Sequence, residues 1–188
     1  MDLFVIRHTS VHNTKGMCYG QREVDLSENY YQEIQQITRQ FTKPFDVVYT
    51  SPLKRCVTLA EQIPGSLLLE EKRLMEINFG DWEGQLWNDL QGKEVTDWMN
   101  DFVRVQPPGG ESLEMVCNRV QAFLEELRQQ SYERVAIVTH AGVLRCIWAN
   151  LIGVPLPNIF KIKVDYGQVD QFILHPNPAL DQWVGRIL

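Results

Sequence analysis

Long apolar runs, paired cysteines, a surplus of positive charge and internal repeats are all missing from this chain, and each absence removes a class of protein. No stretch approaches the roughly 20 consecutive apolar residues that a membrane-crossing helix needs, so no membrane partner is expected. The opening MDLFVIRHTS has no basic leader ahead of a long apolar core, so the expectation is no signal peptide and a cytoplasmic location. The four cysteines, Cys18, Cys56, Cys117 and Cys146, lie far apart without a CxxC pair, which reads as reduced thiols rather than a disulfide framework or a zinc site. Basic residues are outnumbered, 18 Lys and Arg against 24 Asp and Glu, for a net charge of −6. That balance argues against gripping nucleic acid by its phosphates. It leaves room for a local anion pocket, because one phosphate needs only a few donors. Without repeats, low-complexity tracts or linkers, the 188 residues fit one domain, acting as a monomer or a homodimer.

What is present is an ordinary core-forming composition, 44% hydrophobic, arranged in alternating patterns. Short apolar runs at Leu3–Ile6, Asp46–Tyr49, Ser66–Leu69 and Val135–Val138 predict buried strands. A hairpin is expected from Phe160–Val164 and Val169–Leu174, with Gly167 between them. Ser27 is positioned to cap a helix running to about Phe41, and Leu53–Ile63 predicts a second helix. Leu113, Val116, Val120, Phe123, Leu124 and Leu127 recur at three- and four-residue steps, one face of a long helix that Ser112 would cap. A further helix is expected from Val143 to about Ile152, stopping at Gly153 and Pro155. Strands alternating with helices predict an α/β domain with a largely parallel sheet. The segment 82–108, rich in tryptophan and ending in Pro107-Pro108-Gly109-Gly110, reads as a helical excursion placed to cover a site.

Two histidines occupy equivalent positions: His8 follows the first strand after Arg7, and His140 follows Val135–Thr139. Ligands of open α/β sheets bind beyond the carboxyl ends of the strands, so both imidazoles are expected in one crevice. A third strand runs into Thr50-Ser51-Pro52-Leu53-Lys54-Arg55, where Pro52 suits a first helical turn and Arg55 falls in its opening turn. Either histidine alone is more commonly a structural residue, and either arginine alone is more commonly solvated or paired. Together, two forked donors and two imidazoles make a phosphate-site candidate.

The Arg7-His8-Thr9 start, the Ser51-Pro52-Leu53-Lys54-Arg55 run, the segment EINFGDWEG from Glu76 to Gly84, and Thr139-His140-Ala141-Gly142 resemble, in that order, the histidine phosphatase superfamily. That is the family of cofactor-dependent phosphoglycerate mutase and fructose-2,6-bisphosphatase. Thr9 stands where many members have glycine. The stretch Lys15 to Gln21, with Asp25-Leu26 after it, is similar to the α-ribazole phosphatase branch, which acts in cobalamin nucleotide-loop assembly. The resemblance implies a three-layer α/β/α sandwich with a mostly parallel, mixed central sheet, and a small phosphomonoester as substrate. It implies His8 as the nucleophile that forms a phosphohistidine, Arg7, Arg55 and His140 as phosphoryl-group ligands, and Glu76 as proton donor to the leaving oxygen. No cofactor and no metal are implied. The chemistry is consistent with those roles. A histidine attacks phosphorus only when neutral, and two nearby arginines disfavour its protonation. The same arginines offset charge on the phosphoryl oxygens. A carboxylic acid is needed because an alkoxide leaves poorly.

Other assignments stay open. Asp81 and Glu83 share the segment with Glu76, and a solvated carboxylate is the plain reading for all three; the family pattern favours Glu76. Asn13, Ser51 and the amide of Ala141 are further donor candidates, Asn13 one residue short of the family register. The Glu111-Ser112 pair after Gly109-Gly110 resembles a recurring family element, and the sequence itself supports helix capping only. His8 and His12 have HxxxH spacing, but His8 closes a strand and no Glu follows it, so metal ligation is not expected. His175, before Pro176, reads as a turn residue. Trp82, Trp87 or Trp98 is expected against the non-phosphate part of the substrate, although tryptophans are more often core. Three functions remain in contention: an α-ribazole 5′-phosphate phosphatase, a broad or sugar-phosphate phosphatase, and an inactive phosphate-binding regulatory module.

Overall fold

The computed structural model describes residues 1–187. In chain order it holds β1 (Asp2–Arg7), α1 (Tyr30–Thr38), β2 (Val47–Thr50), α2 (Lys54–Ala60), β3 (Leu68–Glu70), α3 (Lys93–Asn100), α4 (Leu113–Arg128), β4 (Arg134–Thr139), α5 (Ala141–Ile152), β5 (Val169–Ile173) and β6 (Gln182–Arg186). The strands form one sheet in the order β3-β2-β4-β1-β5-β6. β1, β2, β3 and β4 pair in parallel, β5 runs antiparallel to β1, and β6 antiparallel to β5.

Alternation along the strands divides the core into two layers. Leu3, Val5, Val47, Val135 and Ile137 point to a cluster shared with α4 and α5. Phe4, Ile6, Val48, Ala136 and Val138 point to a cluster shared with Ile34 and Ile37 of α1 and Cys56 and Leu59 of α2. Strands apolar on both faces belong between two helical layers, and the α/β/α sandwich follows. Each fully buried aliphatic side chain contributes about 2 kcal/mol before the cost of ordering it.

Several expectations need correction. Phe160–Val164 forms no strand: Pro155 and Pro157 open a 3-10 turn, Leu156–Lys161, and proline has no amide for a ladder. Both edges of β5 are taken by β1 and β6, so the hairpin partner is Gln182–Arg186 instead. Ser27 caps nothing; its hydroxyl lies 2.6 Å from Ser10 Oγ, and α1 starts three residues later behind Asn29 and ends at Thr38. Pro52 precedes α2, whose N-cap residue is Leu53 and whose last helical residue is Ala60, short of Ile63. α5 starts at Ala141, two residues early, with His140 as its N-cap residue, and Gly153 ends it in the left-handed region. Ser112 does cap α4, accepting a hydrogen bond from Met115 N at 3.3 Å.

Within residues 82–108 only Lys93–Asn100 is α-helical; Trp82 closes a 3-10 turn from Gly80, Trp87–Asp89 is another, and the remainder is loop. The segment returns to its own origin. Asp81 N donates to Pro108 O at 2.9 Å and Glu111 N to Asn78 O at 2.7 Å. Gly80, at φ +54°, permits this approach, since a Cβ there would lie 2.1 Å from Pro108 O. No described helix is long and apolar enough to cross a membrane.

Candidate active site

The sheet order brings three strand ends side by side. β4 lies between β1 and β2, and at its carboxyl end His8 N donates to Thr139 O and Ser51 N to Val138 O, each at 3.0 Å. The residues that leave these strands, Arg7-His8, Ser51 and His140, therefore gather in one crevice. The imidazole centroids of His8 and His140 are 5.1 Å apart.

His8 is 1% exposed. Its Nδ1 lies 2.7 Å from Thr9 O, a carbonyl that can only accept, which assigns the proton to Nδ1 and leaves Nε2 as the basic nitrogen of the neutral ring. Burial holds its pKa well below the ordinary histidine value, and the charges of Arg55 and then Arg7 act in the same direction, against the Thr9 carbonyl. His140 is also fully buried and also held low, first by burial and then by His8, Arg55 and Arg7. Its Nε2 is hydrogen-bonded to Ser51 Oγ at 2.8 Å and lies 3.4 Å from Cys56 Sγ. Burial pushes the Cys56 thiol up, so it packs as a neutral group.

The two arginines are held differently. Arg55 has no exposed surface; its guanidinium donates to Gly20 O at 2.6 Å and Arg22 O at 2.9 Å. Arg7 donates to Val164 O at 2.8 Å, and its guanidinium carbon sits 3.8 Å from the centroid of Tyr166. In each arginine Nε is buried without a protein partner, a free donor that an anion would satisfy.

Glu76 lies between β3 and the turn at Gly80. Its Oε1 accepts from Ile77 N at 3.0 Å and Gly142 N at 3.1 Å, while Oε2 shares only the Gly142 amide, at 3.2 Å. Gly142 leaves room for this contact: a Cβ there would come within 2.3 Å of Glu76 Oε1 and 2.9 Å of Ile77 Cγ1, so either side chain would have to shift. The main chain of Glu76 is clamped as well. Its carbonyl accepts from Gln21 Nε2 and Arg119 Nη2, and Arg119 is paired to Glu111 at 2.9 Å. Glu111 also accepts from Asn78 N. A pocket of about 170 Å³ opens here, with Arg7, Tyr19, Glu76, Phe79, Trp87 and Ala141 in its wall.

The crevice thus gathers Arg7, His8, Ser51, Arg55, Glu76, His140 and Ala141. Of these Arg7, Glu76 and Ala141 line the pocket, while His8, Ser51, Arg55 and His140 are buried at the strand ends; Asn13 is not among them and sits on an exposed loop at φ +50°. Asp81 is exposed, and Glu83 joins loops by accepting from Gln21 N and Phe79 N. Of the three tryptophans, Trp87 reaches the pocket. Trp98 stacks behind it at 5.7 Å, and Trp82 is buried edge-on to Trp98. His12 is exposed, and the described residues contain no cluster of three or more metal-ligating side chains. His175 shapes a turn, its Nδ1 accepting from Asn177 N at 3.0 Å. Sequence reasoning missed Tyr19, Tyr166, Gly142 and the Arg119–Glu111 clamp. Tyr19, Gly142 and Glu111 each stand in a stretch that resembles the family, without a role assigned to them, whereas Tyr166 and Arg119 carried no signal.

The fold, with two imidazoles and two guanidiniums at its strand ends, defines a class of enzyme that handles phosphate. The histidine phosphatase superfamily (branch 1) matches residues 3–182, and the protein belongs to that superfamily; it is a phosphatase enzyme. Among curated relatives it is 34% identical to phosphoserine phosphatase 1 of Hydrogenobacter thermophilus, over 88% of this chain and 82% of that one. It is 30% identical to the adenosylcobalamin/alpha-ribazole phosphatase of Escherichia coli K12, over 89% and 87%. Among solved structures, the alpha-ribazole phosphatase of Shigella flexneri superposes with a TM-score of 0.83 at 29% identity, covering 92% of this chain and 90% of that one.

Proposed function

We propose that this protein hydrolyses a small phosphomonoester through a phosphohistidine on His8, and that its substrate is α-ribazole 5′-phosphate, in assembly of the cobalamin nucleotide loop. The observation that carries the chemistry is the pair of buried, unpartnered Nε groups of Arg7 and Arg55 beside a neutral His8. In the first step His8 Nε2 attacks phosphorus, a new P–N bond forms and the P–O bond to the alcohol breaks. The leaving oxygen takes its proton from Glu76, whose Oε2 has the freer lone pairs. In the second step the Glu76 carboxylate takes a proton from water as it attacks the phosphohistidine, releasing phosphate and restoring the neutral ring. Arg7, Arg55 and the neutral His140 hold the equatorial oxygens throughout, and the two guanidiniums supply positive charge that metal ions supply in other phosphoryl-transfer sites.

For the substrate, the aromatic wall of Phe79 and Trp87, backed by Trp98, favours an alcohol that carries a flat apolar base. A second reading, phosphoserine phosphatase, is favoured by the 34% identity to the Hydrogenobacter enzyme. The test is hydrolysis in the presence of chelator, comparing α-ribazole 5′-phosphate, phosphoserine, sugar phosphates and phosphoglycerates, for wild type and His8→Ala. A preference for the ribazole ester that disappears in His8→Ala is the expected result. A preference for phosphoserine would move the substrate to the second reading, and activity surviving in His8→Ala would overturn the mechanism.

A further inference from the structure

Two loops hold the two arginines, and a hydroxyl–hydroxyl hydrogen bond joins the loops. Residues 19–22 supply both carbonyls that accept from Arg55, those of Gly20 and Arg22. Residues 164–168 supply the Val164 carbonyl and the Tyr166 ring that hold Arg7, and Gly167 N donates to His8 O at 3.2 Å. Between them Tyr19 and Tyr166 meet hydroxyl to hydroxyl at 3.1 Å, across a separation of 147 residues in sequence. Each ring faces a guanidinium: Tyr166 lies 3.8 Å from that of Arg7, and Tyr19 lies 5.3 Å from that of Arg55. Tyr166 is also 5.6 Å from the His8 ring. Tyr166 is itself 39% exposed, so core packing does not account for its placement. The loop that carries it is fixed from behind, where Gln168 accepts from Asp165 N at 2.8 Å and donates to the buried Asp170 at 2.5 Å.

We propose that the Tyr19–Tyr166 hydroxyl bridge is a positioning device that couples the two guanidinium cradles, setting Arg7 and Arg55 relative to each other before the phosphoryl group arrives. This rests on the reading that both arginines hold the transferring group. A displaced guanidinium loses stabilisation that exists only in the transition state, so the bridge acts mainly on kcat. Tyr166 has a second role through its ring, which holds Arg7 by a cation–π contact that phenylalanine retains and leucine does not.

The test is a double-mutant cycle on p-nitrophenyl phosphate with Tyr19→Phe, Tyr166→Phe and the pair, alongside Tyr166→Leu. Removing either hydroxyl is expected to lower kcat about 5-fold with KM little changed, the loss of one hydrogen bond. The double variant is expected to lose no more than either single, because both remove the same bond. Tyr166→Leu is expected to lose a further ~2- to 5-fold relative to Tyr166→Phe. Losses that multiply to about 25-fold in the double variant, or a Tyr166→Phe protein that behaves as wild type, would overturn the coupling. Equal rates for Tyr166→Leu and Tyr166→Phe would overturn the role of the ring. Arg7→Ala and Arg55→Ala separate this from the reading beneath it. If both retain wild-type activity the phosphate site itself is misassigned; if both lose activity while the tyrosine losses multiply, the coupling alone fails.

Discussion

His8 and His140 enter the site in the same way, one at the end of each of two adjacent parallel strands, yet they are held by opposite nitrogens. His8 is fixed through Nδ1 to its neighbour's carbonyl, which leaves Nε2 unengaged by protein. His140 is fixed through Nε2 to Ser51, with Cys56 packed against the same nitrogen. Burial lowers the pKa of both, so charge does not tell them apart. Hydrogen bonding does: a nucleophile needs a free basic nitrogen, and a ligand needs a fixed one. The asymmetry supports His8 as the group that is phosphorylated and His140 as one that holds the phosphoryl oxygens.

Exchange of the two roles would be the sharpest break of this comparison. His8→Ala is expected to lower kcat by about 10⁴-fold or more, since loss of a nucleophile removes the reaction path. His140→Ala is expected to lose about 10²- to 10³-fold, the scale of one missing transition-state donor. Rapid acid-sensitive trapping of a phosphoenzyme checks the assignment: label in His140→Ala and none in His8→Ala is expected, and the reverse would invert the roles. Next in size is the acid. Glu76→Gln is expected to lose about 10²- to 10³-fold on an alkyl phosphate. Its loss on p-nitrophenyl phosphate should be much smaller, because that leaving group needs little protonation. Equal losses on both esters would remove Glu76 as the acid of the first step and confine it to the second, which both esters share. Gly142→Ala tests the same group from outside, since the added methyl would displace the carboxylate that Gly142 N holds; about a 10-fold loss with the same ester dependence is expected.

The histidine pair also shows what the sequence makes legible. Strands buried on both faces announce themselves as continuous apolar runs, so β1, β2 and β4 and the crevice at their ends were readable, and with them Arg7, His8, Ser51, Arg55 and His140. The opposing nitrogens were not, because they depend on Thr9 O and Ser51 Oγ lying at particular angles, which no spacing encodes. β6 was missed for a similar reason: Gln182–Arg186 is an edge strand with exposed side chains and no apolar alternation. Phe160–Val164 misled in the opposite direction, apolar enough for a strand but opened by prolines that cannot pair. Tyr19 and Tyr166, 147 residues apart, meet only once the sheet is assembled.

A smaller effect sharpens the same contrast. Ser51→Ala removes the anchor of His140 and leaves His8 untouched. A loss of about 5-fold in kcat is expected, the scale of one hydrogen bond. If Ser51→Ala matched His140→Ala, the serine would itself be contacting the phosphoryl group rather than holding the ring.

The smallest expected effect concerns stability rather than rate. Both histidines are buried neutral, with folded-state pKa values below the unfolded value of about 6.5. As pH falls through 6.5 the unfolded chain takes up protons that the folded rings refuse, so the unfolded state binds more protons and stability falls. Each ring contributes at most ~1.4 kcal/mol per pH unit below that point, until its folded pKa is reached. Urea unfolding of wild type and His8→Asn between pH 7 and pH 5 isolates one of the two contributions, because the carboxylates are common to both proteins. The variant is expected to lose stability with acidification less steeply, by up to one proton's slope. Parallel curves would mean that the His8 ring protonates inside the fold as readily as outside it, so that burial and the two arginines would not be what keeps its lone pair free to attack phosphorus.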